Sequence, residues 1–558
     1  LVAERHLAPR IDIGPGTLLF PLAAMIGLVT IWPLLRLGME LFIADPAPLA
    51  FILRTLAKKA TVTAFLNTVD SAFWSSLLAV AIGLSAALVV GTTDLRFKAA
   101  ASFLILLPLL IPSQITALAW KELFSLISPP GAANPLYSRN GVILVLGIEN
   151  STAVFLTVRA AMRAVSWDLV EAARISGAGP ARTILTVILP LISPGILAGF
   201  SLSFVAAIGN FGVPALLGIP GRFPVLSTLI YRRLNGFGPA VLGETVVLAL
   251  PLVLLSTFGL MLRSLASRRL STGIHRGTSA LVPFSLGKGR LAVELAAGAF
   301  FFALSVLPLV SLAISSLIPA VGVELNARSL TLDNYRFVLF EQTTVLRAFA
   351  NSIRLSLIAA LALGLAALPL AYLSTLRKNR TARFLDTLAD IPYAIPGIVL
   401  SIAMILAFIK PLPVIGSLYN SFWILLVAYL ARFFAPVLRT TTSALEQFDI
   451  RLEEAAQVLG AGVFRRLSTV ILPAAAASAV AGALLVFMAA VNELTVSSLL
   501  WSTGNETIGV VIYALQYEGN SPEASAVSMM SIGIVLLIAA GFGYFGKYLP
   551  DGVVPWRV

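Results

Sequence analysis

The sequence predicts an all-α polytopic membrane protein of about twelve transmembrane helices, arranged as two parallel six-helix repeats. Three observations carry this. Of 558 residues, 58% are hydrophobic and 12% charged, and the mean hydropathy is +0.95, whereas a soluble domain covers its surface with roughly 25% charged residues. Run after run approaches the ~20 apolar residues that cross a hydrocarbon core of about 30 Å, without the weak ~10-residue alternation of a membrane β-barrel. Finally, a polar segment occurs twice, 283 residues apart. Glu171-Ala172-Ala173-Arg174-Ile175-Ser176-Gly177-Ala178-Gly179 closes on Val187-Ile188-Leu189-Pro190, and Glu454-Ala455-Ala456-Gln457-Val458-Leu459-Gly460-Ala461-Gly462 closes on Val470-Ile471-Leu472-Pro473.

In chain order the apolar runs cover 17–37, 69–90, 99–127, 141–162, 190–214, 240–262, 292–318, 351–373, 385–410, 421–441, 473–500 and 525–546. The third and eleventh are long enough to be tilted or broken. The lead-in with Arg5, His6 and Arg10 resembles a cytoplasmic segment rather than a cleavable signal. Connection 263–290 carries Arg263, Arg268, Arg269, Arg276, Lys288 and Arg290 and no acid; connection 374–384 carries Arg377, Lys378, Arg380 and Arg383 and no acid. Both should therefore face the cytoplasm. Segment 501–524 has Glu506, Glu518 and Glu523 but no Lys or Arg, and should lie outside. Twelve spans then put both termini and both repeated segments on the cytoplasmic side of an inner membrane. Arg54, Lys58 and Lys59 are discordant in the first outer loop, where 46–66 could form an interfacial amphipathic helix.

The formal charge of +13 sits in these short connections, without the aromatic–basic interleaving of a nucleic-acid surface, so no nucleic acid is expected as a partner. The absence of cysteine excludes disulfides, thiolate metal sites and Cys nucleophiles. The two histidines, His6 and His275, suggest no site.

The repeat extends beyond the polar segment. Pro108-Leu109-Leu110-Ile111-Pro112 matches Pro392-Tyr393-Ala394-Ile395-Pro396, and Asn67-Thr68 matches Asn351-Ser352. The expected organisation is a first repeat over 1–262, a basic linker over 263–291 and a second repeat over 292–558. Six spans per repeat insert both the same way up, related by an axis along the membrane normal.

Within each polar segment Glu-Ala-Ala favours helix and Gly-Ala-Gly ends it. A second short helix should run through Ile184 or Leu467 until Pro190 or Pro473 opens the next span. The product is a helix–turn–helix knob outside the bilayer, with Arg174, Arg182, Arg465 and Arg466 at its surface. A bland reading makes each knob a loop whose charges set topology, but topology requires charge and not a spacing kept twice.

At these residues the chain resembles the membrane subunits of bacterial binding-protein-dependent ABC importers, in their fused two-repeat form. Their signature is Glu-Ala-Ala, three residues, Gly, nine residues, then Ile-x-Leu-Pro; here Val187 and Val470 replace the Ile. The resemblance implies that Glu171, Ala172, Ala173, Gly177, Glu454, Ala455, Ala456 and Gly460 form coupling helices, in segments 168–190 and 451–473, that dock on an ATP-hydrolysing subunit.

Two constellations lie within the spans. Pro108, Pro112, Pro392, Pro396 and Gly397 should interrupt helices, either lining a route at mid-membrane or making ordinary packed kinks. Glu149, Asn150, Asn210, Arg432, Asn492 and Glu493 are costly in lipid and should face the bundle interior or water. They are either a network that glues helices together or contacts for the moving substrate, and Arg432 could neutralise Glu149 or Glu493. Asn210 and Glu493 fall at equivalent repeat positions, and Glu493 is the preferred pathway residue.

No Gly-x4-Gly-Lys-Ser/Thr is present, Gly287-Lys288-Gly289 lacking both the upstream Gly and the Ser/Thr. The chain is thus expected to be a transport subunit rather than an enzyme, without cofactor of its own. Two copies of an ATPase subunit would supply ATP and Mg chemistry, and a periplasmic or extracellular substrate-binding protein would dock near 215–239 and 501–524. Asn492 to Trp501, Glu506 to Val510 and Pro392 to Leu400 look most like ferric-iron permeases, with thiamine and aminoethylphosphonate-like permeases as the alternatives. Acidic residues suit a hard cation, whereas Arg432 favours an anion. An ion-coupled secondary transporter also favours two six-span halves, but has no use for a repeated docking knob.

Overall fold

Among the described residues, ten helices are long and apolar enough to cross a membrane, or twelve if each of two sharply bent helix pairs is one span. The fold is that of a computed structural model, which describes residues 15–545 apart from 130, 237–240, 274–283, 321, 324, 325, 327, 412, 414 and 415. Arg5, His6, Arg10, His275 and Arg276 lie outside the described residues. The first half comprises α1 (Gly16–Ile43), α2 (Pro48–Leu56), α3 (Lys59–Thr92), α4 (Lys98–Leu110), α5 (Ser113–Ile127), α6 (Arg139–Ala164), α7 (Trp167–Ile175), α8 (Pro180–Gly209), α9 (Leu226–Leu234) and α10 (Val241–Gly273). The second half repeats it with α11 (Gly287–Ser316), α12 (Thr343–Leu376), α13 (Arg380–Ala394), α14 (Gly397–Phe408), α15 (Phe422–Glu446), α16 (Ile450–Val458), α17 (Val463–Val491), α18 (Ile508–Tyr517) and α19 (Ser521–Phe545). With each bent pair counted as one span, helices stand at all twelve expected places, and α2 has its counterpart in the successive turns Asp333–Arg336 and Phe337–Glu341 just ahead of α12.

Helices are the local solution because hydrocarbon offers backbone groups no partner. The third span breaks between α4 and α5 with a bend of 109°, and the ninth between α13 and α14 with 111°. Proline sterics set both places. Ile111 (φ −107°, ψ 127°) and Ile395 (φ −85°, ψ 137°) are driven out of the helical region by the Pro that follows. Pro112 and Pro396 precede the second limb, while Pro108 and Pro392 stay inside the first. The eleventh span is not the broken one. It ends at Val491 rather than near 500, and the next residues form a separate turn.

Three other expectations change. Pro190 and Pro473 open no new helix: α8 and α17 run through them, because a π-helical turn at Ile184–Ile188 and Leu467–Ile471 widens the backbone just ahead of each ring. Of 46–66, only α2 stands apart, and α3 already begins at Lys59. Segments 215–239 and 501–524 fold back inward as α9 and α18, whose residues Leu226–Ile230 and Ile508–Tyr513 are buried. The repeated Asn-Thr/Ser pair explains how. Asn67 donates to the Pro224 carbonyl (2.8 Å) and the Leu226 N–H donates to Thr68 Oγ1 (2.9 Å), as Asn351 donates to the Glu506 carbonyl (3.1 Å) and the Ile508 N–H donates to Ser352 Oγ (2.9 Å).

The halves interlock. α1 packs against α12, α13 and α14 of the second half, and α11 against α4 and α5 of the first. Ile398, Val399 and Ile402 of α14 are accordingly buried in the first-half core with Phe211 and Val246. Of the ten unbroken spans, the most enclosed are α6 and α15, each with 67% of its apolar window buried, against 28% for α1 and α8. These two central helices carry Glu149 and Arg432.

Candidate functional site

Both polar segments fold as helix–turn–helix knobs. α7 and α16 end in the same C-terminal motif: the Ala178 N–H donates to Ala173 O and the Gly177 N–H to Arg174 O, as Ala461 does to Ala456 and Gly460 to Gln457. Gly177 (φ +83°) and Gly460 (φ +79°) occupy the left-handed position that motif requires. Glu171, Ala172, Gly177, Glu454, Ala455 and Gly460 are exposed, and Ala173 and Ala456 half-buried. Beside them the apolar tips Ile175 (88% exposed), Val458 (87%) and Leu459 (86%) stand free of the bundle. Apolar tips on a polar knob are what a docked partner would cover.

The two knobs are mounted differently. Glu453, which the sequence reading passed over in favour of Glu454, is the buried residue of the pair. One oxygen, Oε1, accepts from Tyr372 Oη (2.9 Å) and Arg377 (2.6 Å), with the Arg466 guanidinium at 3.0 Å off the hydrogen-bond axis. Arg377 also donates to Gln457 (3.1 Å). Arg466 is therefore buried, not displayed at the knob surface as Arg174, Arg182 and Arg465 are. The equivalent of Glu453 in the first repeat is Val170, buried with Trp167 among apolar side chains and Phe284. Arg174 lies over the Phe284 ring at 5.5 Å. Phe284 itself donates from its N–H to Thr92 O (2.7 Å), and the chain after it is clamped by Asp94, which accepts from the Leu286 N–H (3.0 Å) and the Arg290 guanidinium. The Leu286 N–H first, and the Arg290 charge with it, hold the Asp94 carboxyl below its usual range. The signal for Glu453 was in the sequence: an acid where the other repeat has valine.

At mid-membrane the candidate residues form two linked pairs. In the first half, Asn210 follows the end of α8 and accepts at Oδ1 from the Val213 N–H (3.0 Å). Its amide donates to Ser113 Oγ (3.0 Å) and Glu149 (3.4 Å), and Ser113 donates to Glu149 (2.5 Å). In the second half Glu493 takes the same capping place, accepting from the Val496 (2.7 Å) and Ser497 (2.9 Å) N–H groups. Arg432 donates to the Tyr393 (3.2 Å) and Ile395 (2.8 Å) carbonyls exposed by the helix break, and its charge acts on Glu493. Arg432 acts on its own half's carboxylate through charge alone, and among the described residues no hydrogen bond or salt bridge joins it to Glu493 or to Glu149. The two halves fill equivalent places differently: in the first the amide donates to the carboxylate, and in the second the guanidinium donates to the carbonyls of the broken span while backbone N–H groups hold the carboxylate. Asn492 joins the halves, its carbonyl accepting from Gln114 (2.7 Å) and its side-chain oxygen from Ser531. Asn150 is a local helix bond to Leu146 O (2.9 Å). Among the described residues no group of three or more His, Cys, Asp or Glu is placed to hold a metal.

Comparison with known proteins finds the family model described as "Binding-protein-dependent transport system inner membrane component" matching twice, over residues 79–272 and 364–549. A probable ABC transporter permease protein of Sinorhizobium fredii is 30% identical over 410 residues, covering 72% of this chain and 70% of that protein. An Fe(3+)-transport system permease protein of Haemophilus influenzae is 24% identical over 448 residues, covering 78% and 81%. A probable molybdenum ABC transporter permease protein of Haloferax volcanii is 33% identical over 205 residues, covering 36% and 74%.

Proposed function

We propose a cargo and a working cycle for this chain from one premise: it belongs to the family of binding-protein-dependent transport system inner membrane components. It is the membrane permease subunit of an ABC-type transport system, a transport protein and not an enzyme. In our reading the two knobs are coupling helices, each docking one copy of an ATPase subunit through its exposed Glu-Ala-Ala face and apolar tip. ATP and Mg act in that partner. A substrate-binding protein docks on the opposite side, where the turns leading into α9 and α18 lie, and both termini face the cytoplasm with the knobs. The repeat units are 1–262 and 292–558, joined by 263–291. Closure of the ATPases pulls the knobs together and rocks the interlocked halves about the breaks at Ile111-Pro112 and Ile395-Pro396. The knob pair is the observation that carries this.

For the cargo we propose ferric iron. The Haemophilus relative, whose name states Fe(3+) transport, aligns along both repeats, and Glu149, Ser113, Glu493 and Asn210 offer the oxygen donors a hard cation prefers. Arg432 speaks for an anion, as do the names of other relatives for other cargo. The test is uptake by vesicles holding this chain with its ATPase and binding protein. Radiolabelled ferric iron should enter only with ATP, undiminished by unlabelled molybdate, thiamine or aminoethylphosphonate. Uptake on an ion gradient without the ATPase would sink the importer reading. Competition by one of the other solutes would sink the iron assignment alone.

A further inference from the structure

A cavity of about 400 Å³ opens beside the first knob, between α3, α4, α6 and the start of α7. Three cations line it: Lys98, at the start of α4, and Arg159 and Arg163, one turn apart near the end of α6. Arg159 lies over the Phe155 ring at 5.7 Å, and the three repel one another, Arg159 acting on Lys98 and Arg163 on Arg159. Among the described residues none of them hydrogen-bonds or forms a salt bridge with an acid. The acid that acts on Lys98, Asp94, is already held by Leu286 and Arg290. The remaining wall is apolar. Phe103 and Leu106 continue along α4 away from the charges, Phe103 being 44% exposed on the outer face, and the buried Trp167 of the knob closes the other end.

Membrane topology alone does not account for this cluster. The equivalent positions of the second repeat are Ala382, Thr442 and Glu446, yet that half has the same orientation. Like charges gathered in one concave site require an anion, and an anionic head with an apolar tail matches charges that give way to Phe103 and Leu106.

We propose that this cavity binds the phosphate of an anionic glycerophospholipid from the leaflet on the knob side, its acyl chain lying along α4. The site exists in one repeat, so the lipid touches one knob, through Trp167. The inference rests on the fold and not on the transported cargo.

The purified full chain, transferred into nanodiscs containing phosphatidylglycerol and phosphatidylcholine, is released and its bound lipid weighed by native mass spectrometry. The wild type should retain phosphatidylglycerol preferentially. The triple variant Lys98→Gln, Arg159→Gln, Arg163→Gln should lose about a hundredfold of that preference, given that each basic residue near the surface contributes separately. Arg380→Gln with Arg383→Gln, exposed charges on the same side in the other repeat, should leave it unchanged. Ala99→Trp, which fills the cavity from its exposed rim without altering charge, should abolish it, and keeps the test valid if the triple variant fails to fold. Unchanged retention in both cavity variants overturns the site, as does equal loss in the Arg380/Arg383 control. Displacement of the lipid by millimolar inorganic phosphate, with no dependence on the acyl chain, overturns the lipid assignment in favour of a small soluble anion.

Discussion

Two donors and a third, ion-paired guanidinium converge on Glu453, whose side chain is 2% exposed, and each has its own reason for being there. Tyr372 and Arg377 sit where α12 leaves the bilayer, and Arg466 opens the rise into α17. One carboxylate therefore ties the second knob to two spans at once. Removing one partner of a buried charge group leaves the others uncompensated, at about 3–5 kcal/mol. Glu453→Ala should thus cost about 3 kcal/mol, at the low end because Arg377 is a third exposed and partly screened. Denaturant unfolding of the purified protein measures this, and Val170→Ala in the first repeat should lose less, about 1–2 kcal/mol for two methyl groups. An equal loss at the two positions would mean that the ionic mount adds nothing. Sequence reasoning missed Glu453 for a physical reason: burial is not encoded in residue identity, and beside an exposed Glu454 of the same type only the neighbouring helices decide which carboxylate turns inward. Glu493 teaches the same lesson. Its residue type does not announce that both its oxygens cap the turn after α17.

Among elements, the first helix and glycine turn of each knob were legible, because a helix stopped by glycine depends on local backbone preference, whereas the burial of Arg466 and the helix continuing through Pro190 and Pro473 were not. A Cβ at Gly177 or Gly460 would meet nothing within 4 Å, so the constraint there is the positive φ and not space. The left-handed conformation costs about 1–2 kcal/mol for an ordinary residue but far less for asparagine. Gly177→Val with Gly460→Val should abolish transport while membrane insertion persists, and Gly177→Asn with Gly460→Asn should retain much of it. Vesicle uptake alongside a protein-level blot checks both, and equal failure of the Asn pair would point to crowding by a docked partner rather than backbone strain. The breaks at Pro112 and Pro396 were legible too, since proline acts on its immediate neighbour. The inward return of α9 and α18 was not. Their polar, turn-rich lead-ins read as outer loops, and the contacts that hold them in, the Asn67-Thr68 and Asn351-Ser352 anchors among them, come from far away in sequence.

At the scale of the whole molecule, two repeats interlocked through α1 and α11 must close around a seam that is symmetric in backbone and antisymmetric in charge. Glu149 and Arg432 occupy equivalent places on the two central helices; Glu149 is hydrogen-bonded by Asn210, the capping residue of its half, whereas Arg432 acts on its counterpart Glu493 by charge alone. The consequence differs between halves. Glu149→Gln keeps an acceptor for Ser113 and Asn210 and removes only a charge, so folding should be preserved and any loss should fall on cargo movement. Arg432→Gln removes the cation from Glu493 and a strong donor from the carbonyls of the broken span, so stability should fall as well, by about 2–3 kcal/mol. Adding Glu493→Gln to Arg432→Gln should restore part of this, because the neutral amide no longer requires a counter-charge; contacting residues of this kind couple by about 0.5–3 kcal/mol. A double-mutant cycle on thermal unfolding, with uptake measured in parallel, tests the pairing. Additive losses at 432 and 493, or a cycle in which Glu149 rather than Glu493 couples to Arg432, would mean that Arg432 does not serve the carboxylate of its own half, and the coupling inferred within the second repeat would fall.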